Sequence, residues 1–248
     1  MKAGALLRPA PADPAPRGAG LMLLGALWLF LLASSGMAAW FGGEEGGLSP
    51  EQAIRLQLPI WLVTSLPLFL AAARRREWAA FLGLGPGRHG FAAGLAAGAG
   101  FLVLGLLLWV PLGQVWFTLL GKLGVAVEPQ PHYRHLAEAI AAGRPDPLLL
   151  LLVVLVHPFF EELLFRGLLQ GWVRRWLPRG WALAVAALVF GLVHPPWPFF
   201  LPLFLLGLLF GYIREWSGSI WSAWTAHALF NGVMIALSPW MLEAYEAF

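Results

Sequence analysis

The chain has 248 residues, of which 59% are hydrophobic and only 12% charged, against roughly 25% charged for an ordinary soluble domain. The formal net charge of +3 comes from short basic clusters set between apolar runs, a topology pattern and not a nucleic-acid surface. There is no cysteine, which excludes disulfides, thiolate nucleophiles and Cys-ligated zinc.

Residues 1–18 are rich in Pro and Ala and are expected to form a disordered arm, since proline removes backbone donors. The first apolar run, Ala19 to Phe41, is longer than the roughly 7–15-residue core of a signal peptide and is read as a membrane helix. Further spans are expected at Leu56 to Ala73, Phe91 to Leu120, Pro147 to Trp172, Trp181 to His194, Phe199 to Ile213 and Ser219 to Leu237. Each is near the length that crosses hydrocarbon, about 20 residues, or falls somewhat short of it. The fold class is therefore all-α, a polytopic transmembrane helical bundle of about seven helices. It divides into N-terminal membrane helices over 19–146, a core over 147–237 and a short tail over 238–248. The run from Trp181 ends at Pro195-Pro196-Trp197-Pro198, where a helix must stop, inside the protein.

With the N-terminus in the cytoplasm, eleven basic residues fall in inside loops, including Arg74 to Arg76, Arg174, Arg175, Arg179 and Arg214. Only Arg55, Lys122, Arg134 and Arg144 fall outside. The bias favours a cytoplasmic N-terminus, and the composition an integral membrane protein, with the lipid bilayer as partner and no nucleic acid. His89, His132 and His135 are placed in loops.

An ionisable residue at the centre of an inserted helix costs about 2.5–3.5 kcal/mol, so the polar residues inside the spans need a reason. The densest group is His157-Pro-Phe-Phe-Glu161-Glu162-Leu-Leu-Phe-Arg166-Gly167. Glu162 and Arg166, four apart, share a face and are read as a buried ion pair that locks the helix in the bundle. Glu161 faces elsewhere, with no cation at helical spacing, and is the candidate for chemistry. His157, one turn before it, is a supporting residue. Phe190-Gly-Leu-Val-His194 and His227-Ala-Leu-Phe-Asn231 follow on later spans. Counted from the nearest inside arginine, Glu161, His194 and His227 all lie about 13–15 residues in, hence at about 20 Å depth.

With no cysteine and no serine beside a suitable histidine within a span, water is the expected nucleophile. Glu161 would act as general base and His194 would orient the water. His227 and Asn231, one turn apart, suit an oxyanion. The reaction class is peptide-bond hydrolysis. Burying a carboxylate charge is costly, so a basic neighbour such as His194 keeps Glu161 competent.

Glu161-Glu162-xxx-Arg166, Phe190-xxx-His194 and His227-xxx-Asn231, in this order on successive helices, resemble the three motifs of the CPBP (Abi) family of intramembrane proteases. That family includes type II CAAX prenyl endopeptidases and proteins linked to bacteriocin maturation and self-immunity. The resemblance covers about Pro147 to Leu237. It implies that Glu161 and His194 activate water, that His227 and Asn231 stabilise the oxyanion, and that Glu162 with Arg166 hold the site's shape; Phe190 and His157 are read as supporting residues. It also implies a peptide or protein substrate, prenylated or membrane-embedded, and an eighth helix that is missing here or reduced to the tail. No cofactor is expected. The alternatives are a zinc protease with Glu161, His194 and His227 as ligands, a non-catalytic immunity or scaffold protein, and a proton-coupled transporter.

Overall fold

The computed structural model describes residues 16–27, 49–89, 91–194 and 196–246. All regular structure among them is helical. Residues 19–27 are helical, and the remainder of the run expected from Ala19 to Phe41 lies outside the described residues. The labelled helices are α1 (Pro50–Arg74), α2 (Arg76–Leu82), α3 (Phe91–Lys122), α4 (Pro131–Ala141), α5 (Pro147–Val173), α6 (Arg179–Leu192), α7 (Phe200–Ser217) and α8 (Ile220–Glu246). Among the described residues five segments are long and apolar enough to cross a membrane: α1, α3, α5, Trp197–Ser217 and α8.

Several boundaries follow from single residues. Ser49 caps α1, its hydroxyl accepting from Gln52 N while Gln52 Oε1 accepts from Ser49 N, with Pro50 preset at the first position. Asp146 caps α5 by accepting from Leu148 N at 2.8 Å. Arg55 bonds the other Asp146 oxygen at 2.6 Å and Glu51 at 2.7 Å, which fixes the start of α1 beside the start of α5.

The fifth apolar run is a helix of 14 residues, about 21 Å at 1.5 Å per residue, and it ends ahead of the prolines, as expected. Two expectations need correction. Residues 131–141, expected to be loop, form α4, whose Leu136 and Ala137 are fully buried and whose Tyr133 hydroxyl donates to Met234 O on α8. His132 and His135 therefore sit on a helix. The expected tail over 238–248 is helical to Glu246. Pro239 has no N–H for the carbonyl of Ile235, four residues back, and the Ser238 hydroxyl donates to that carbonyl at 2.7 Å. The helix passes its proline because a side chain replaces the missing donor.

α5 runs through the middle. Its Phe160, Leu163, Phe165 and Leu168 meet Trp61, Leu68, Trp78, Leu82, Phe190 and Ile220 in the main core. α3 and α8 approach through Gly98, where a Cβ would lie 2.2 Å from the Ser222 carbonyl oxygen. α6 and α7 approach through Gly207, where a Cβ would lie 2.9 Å from Ala187 Cα. Trp109 and Trp116 of α3 donate to the carbonyls of Pro202 and Pro198, so α3 clasps the start of α7 and the turn before it.

Candidate active site

The polar cluster is built on an irregular stretch of α5. Residues Leu152–Val156 form one π turn, His157–Glu162 return to α geometry, and Leu163–Leu169 form a second π turn. Such insertions re-aim the side chains that follow them and recur at functional sites. Between the two lie Glu161 and Glu162.

Glu162 is fully buried and Arg166 is 1% exposed, their side chains in ion-pair contact at 3.2 Å. A buried guanidinium requires more than one partner. Arg166 Nη2 also donates to the Gly207 carbonyl at 3.3 Å, and its Cζ stands 4.4 Å from the Phe190 ring centroid and 5.4 Å from that of Phe210. Gly207 therefore brings α6 and α7 together and also leaves its carbonyl open to the arginine.

Glu162 has a second role that helical spacing did not reveal. Its Oε1 also accepts from His227 Nδ1 of α8 at 2.9 Å. A carboxylate accepts, so Nδ1 carries the proton and Nε2 is left for other work. The His227 ring stacks on Phe210 at 4.6 Å, which fixes its plane. His194, just past the end of α6, is fixed in the same tautomer: its Nδ1 bonds the Phe190 carbonyl, which can only accept. The Nε2 atoms of the two histidines lie 3.7 Å (His194) and 3.8 Å (His227) from the same oxygen, Glu161 Oε2.

Three helices thus bring a carboxylate and two imidazoles to one point, in apolar surroundings that strengthen electrostatic interactions. Glu161 is 16% and His194 22% exposed, while His227 and Glu162 are buried. His157 is buried one turn before Glu161 and approaches the backbone of Ile54 on α1. Phe190 contributes its carbonyl to His194 and its ring to Arg166.

Asn231 stands one turn beyond His227 on α8, but its Nδ2 donates to the Val153 carbonyl at 2.9 Å. One of its two amide hydrogens is engaged with the backbone of α5. Trp224, on the same face, donates to the Leu155 carbonyl at 2.9 Å. Neither contact was expected, nor was the π geometry of this stretch. The signal available was Pro158 directly after His157, a proline inside an apolar span.

The three residues considered as zinc ligands are those that converge, but among the described residues no group of three or more His, Cys, Asp or Glu side chains is disposed to hold a metal ion. A second polar layer lies nearer the arginine-rich end. There Gln170 Nε2 donates to Glu215 and to the Gly211 carbonyl, and Arg174 and Arg179 pair with Glu215 at 3.1 and 3.7 Å.

Residues 143–233, a little over a third of the chain, match the model of the family described as "Type II CAAX prenyl endopeptidase Rce1-like". The matched segment runs from the approach to α5 into α8 and contains every residue of the cluster. No curated protein and no solved structure matches the chain.

Proposed function

We propose that this chain, whose residues 143–233 match the Rce1-like family of CAAX-type membrane proteases, hydrolyses peptide bonds with water activated by Glu161 and His194. The observation that carries this reading is the approach of two imidazole Nε2 atoms, from two different helices, to within 3.7 and 3.8 Å of one Glu161 oxygen.

Groups at those distances can share a small third partner such as water. Because Nδ1 of His194 is committed to Phe190, its Nε2 lone pair and the Glu161 carboxylate form two acceptors aimed at one place. A water there gives one hydrogen to each. Glu161 takes a proton as the water oxygen attacks the substrate carbonyl carbon. The carbonyl π electrons move onto oxygen, and the resulting oxyanion requires donors. His227 can donate from Nε2 when it holds a second proton, and the Glu162 carboxylate behind it balances the charge of that form. The remaining amide hydrogen of Asn231 is available for the same purpose. When the C–N bond breaks, protonated Glu161 returns its proton to the leaving amine. Water is consumed, and an acid and an amine are formed.

The substrate in this reading is a peptide or protein held at the membrane, prenylated or not, and the chain works as a bacterial or archaeal membrane protein with its N-terminus in the cytoplasm. The reaction is proposed to need no metal, and zinc held by Glu161, His194 and His227 is the competing form. The test is incubation of detergent-purified protein with farnesylated CAAX peptides and unprenylated transmembrane-segment peptides, read by mass spectrometry, with and without a chelator. Cleavage that survives chelation and falls by about 100-fold or more in Glu161→Gln supports the proposal. Cleavage abolished by chelation and restored by zinc would sink the metal-free form. Cleavage unchanged in Glu161→Gln would sink the assignment of the base.

A further inference from the structure

The π turn before the site leaves a specific backbone group without its donor. His157 N–H bonds the Leu152 carbonyl, five residues back. In that register the next N–H, at position 158, would serve Val153. Position 158 is proline and has no N–H. An unsatisfied carbonyl in the apolar interior of a membrane protein costs several kcal/mol, and the group that meets this one is Asn231 Nδ2, at 2.9 Å.

Asn231 does not act alone. Trp224, His227 and Asn231 follow one another at spacings of three and four along α8, which places them on one face. Trp224 Nε1 takes the Leu155 carbonyl at 2.9 Å and His227 Nδ1 takes Glu162 at 2.9 Å. One face of α8 therefore fastens α5 at Val153, Leu155 and Glu162. The carboxylate of Glu161 lies beside the last of these points.

The rotation of α5 is what these contacts secure. A π turn inserts one residue, and one residue corresponds to about 100° around a helix axis. If the turn at Leu152–Val156 relaxed to α register, every side chain after it would swing by about that amount relative to the preceding stretch. Glu161 could not then keep both histidines at the 3.7 and 3.8 Å they now hold.

We propose that Asn231 is a positioning residue for Glu161: its amide stands in for the N–H that Pro158 lacks, holds the π turn, and thereby sets the rotation of the carboxylate toward His194 and His227. Trp224 shares this task. The inference rests on the protease reading only where activity is the readout.

The experiment is a double-mutant cycle in the full chain with Asn231→Leu and Pro158→Ala, read by unfolding in detergent and by kcat and KM for any peptide cleaved. The first substitution removes the side-chain donor, and the second restores an N–H to the turn. The expected result is loss of stability in Asn231→Leu with kcat down by about 100-fold, the scale of a small misplacement of a reacting group. The Pro158→Ala/Asn231→Leu double variant should recover most of the stability and the part of kcat lost through misplacement of Glu161, with KM little changed throughout. Rescue by a backbone N–H that serves the Val153 carbonyl is a result that a purely oxyanion-binding asparagine does not give. Stability and activity as poor in the double variant as in Asn231→Leu would overturn the proposal. If Asn231→Leu does not fold, the same cycle with Asn231→Ser decides by the same criterion. If the wild type cleaves no peptide, it is the protease reading that fails, and the stability arm of the cycle still decides this one.

Discussion

Replacing Arg166 by methionine while leaving Glu162 in place should unfold the protein more readily than any other single change in the cluster. Arg166 is 1% exposed and Glu162 fully buried, so the substitution leaves a carboxylate in the interior without its 3.2 Å cation. Breaking a buried pair from one side costs about 3–5 kcal/mol. The lost contacts to Phe190, Phe210 and the Gly207 carbonyl favour the upper part of that range. Glu162→Gln/Arg166→Met removes the stranded charge and keeps an amide oxygen for His227 Nδ1, so the double variant should return to within about 1 kcal/mol of wild type, since paired removal of buried ions is often neutral. Activity should not return with stability, because a neutral amide at position 162 no longer balances a protonated His227. Reversible unfolding in mixed micelles, with cleavage measured on the same preparations, checks both halves. A cost below about 1 kcal/mol for Arg166→Met, or a double variant no more stable than the single one, would refute the account of the pair.

Two further predictions concern the frame and its orientation. Gly98→Ala places a Cβ where the Ser222 carbonyl oxygen stands 2.2 Å away; helices α3 and α8 must separate, and thermal unfolding should show a loss of about 1–3 kcal/mol. Because the chain has no cysteine, the single substitutions Arg175→Cys and Glu128→Cys can each be labelled in intact cells with a membrane-impermeant maleimide. The proposed cytoplasmic N-terminus requires the Glu128→Cys variant to react and the Arg175→Cys variant to be protected.

The equal-depth count from flanking arginines identified Glu161, His194 and His227 as neighbours because helices of one rise, entering from one side, carry equal residue counts to equal depth. The same arithmetic works for the Glu162–Arg166 pair, which lies within one helix. It does not work for His227 bonding Glu162, since that contact depends on how α8 is rotated against α5. Nor does it reach the π turns, which change the residue count per turn itself. Helix α4 was missed for another reason: its polar residues lie between two apolar runs, and its buried face is narrow, with Leu136 and Ala137 at its centre. The extension of α8 past Pro239 depends on one hydroxyl, Ser238, to the carbonyl of Ile235, and proline alone argues for a stop.

Pro158 and Pro239 pose the same problem and meet two solutions. Each removes a backbone donor inside a bundle where water is scarce. At Pro239 the neighbouring serine replaces the donor within the same helix, and no other helix is involved in the repair. At Pro158 the replacement comes from Asn231 on another helix, far along the chain. A local repair leaves a helix independent of its neighbours, whereas a repair from α8 makes the register of α5 conditional on the presence and rotation of α8. The groups that need such conditional placement are Glu161 and Glu162, whose partners lie on α8 and at the end of α6. Proline at position 158 thus couples the geometry of the carboxylates to the helix that carries His227, and an N–H at that position would let α5 settle without it.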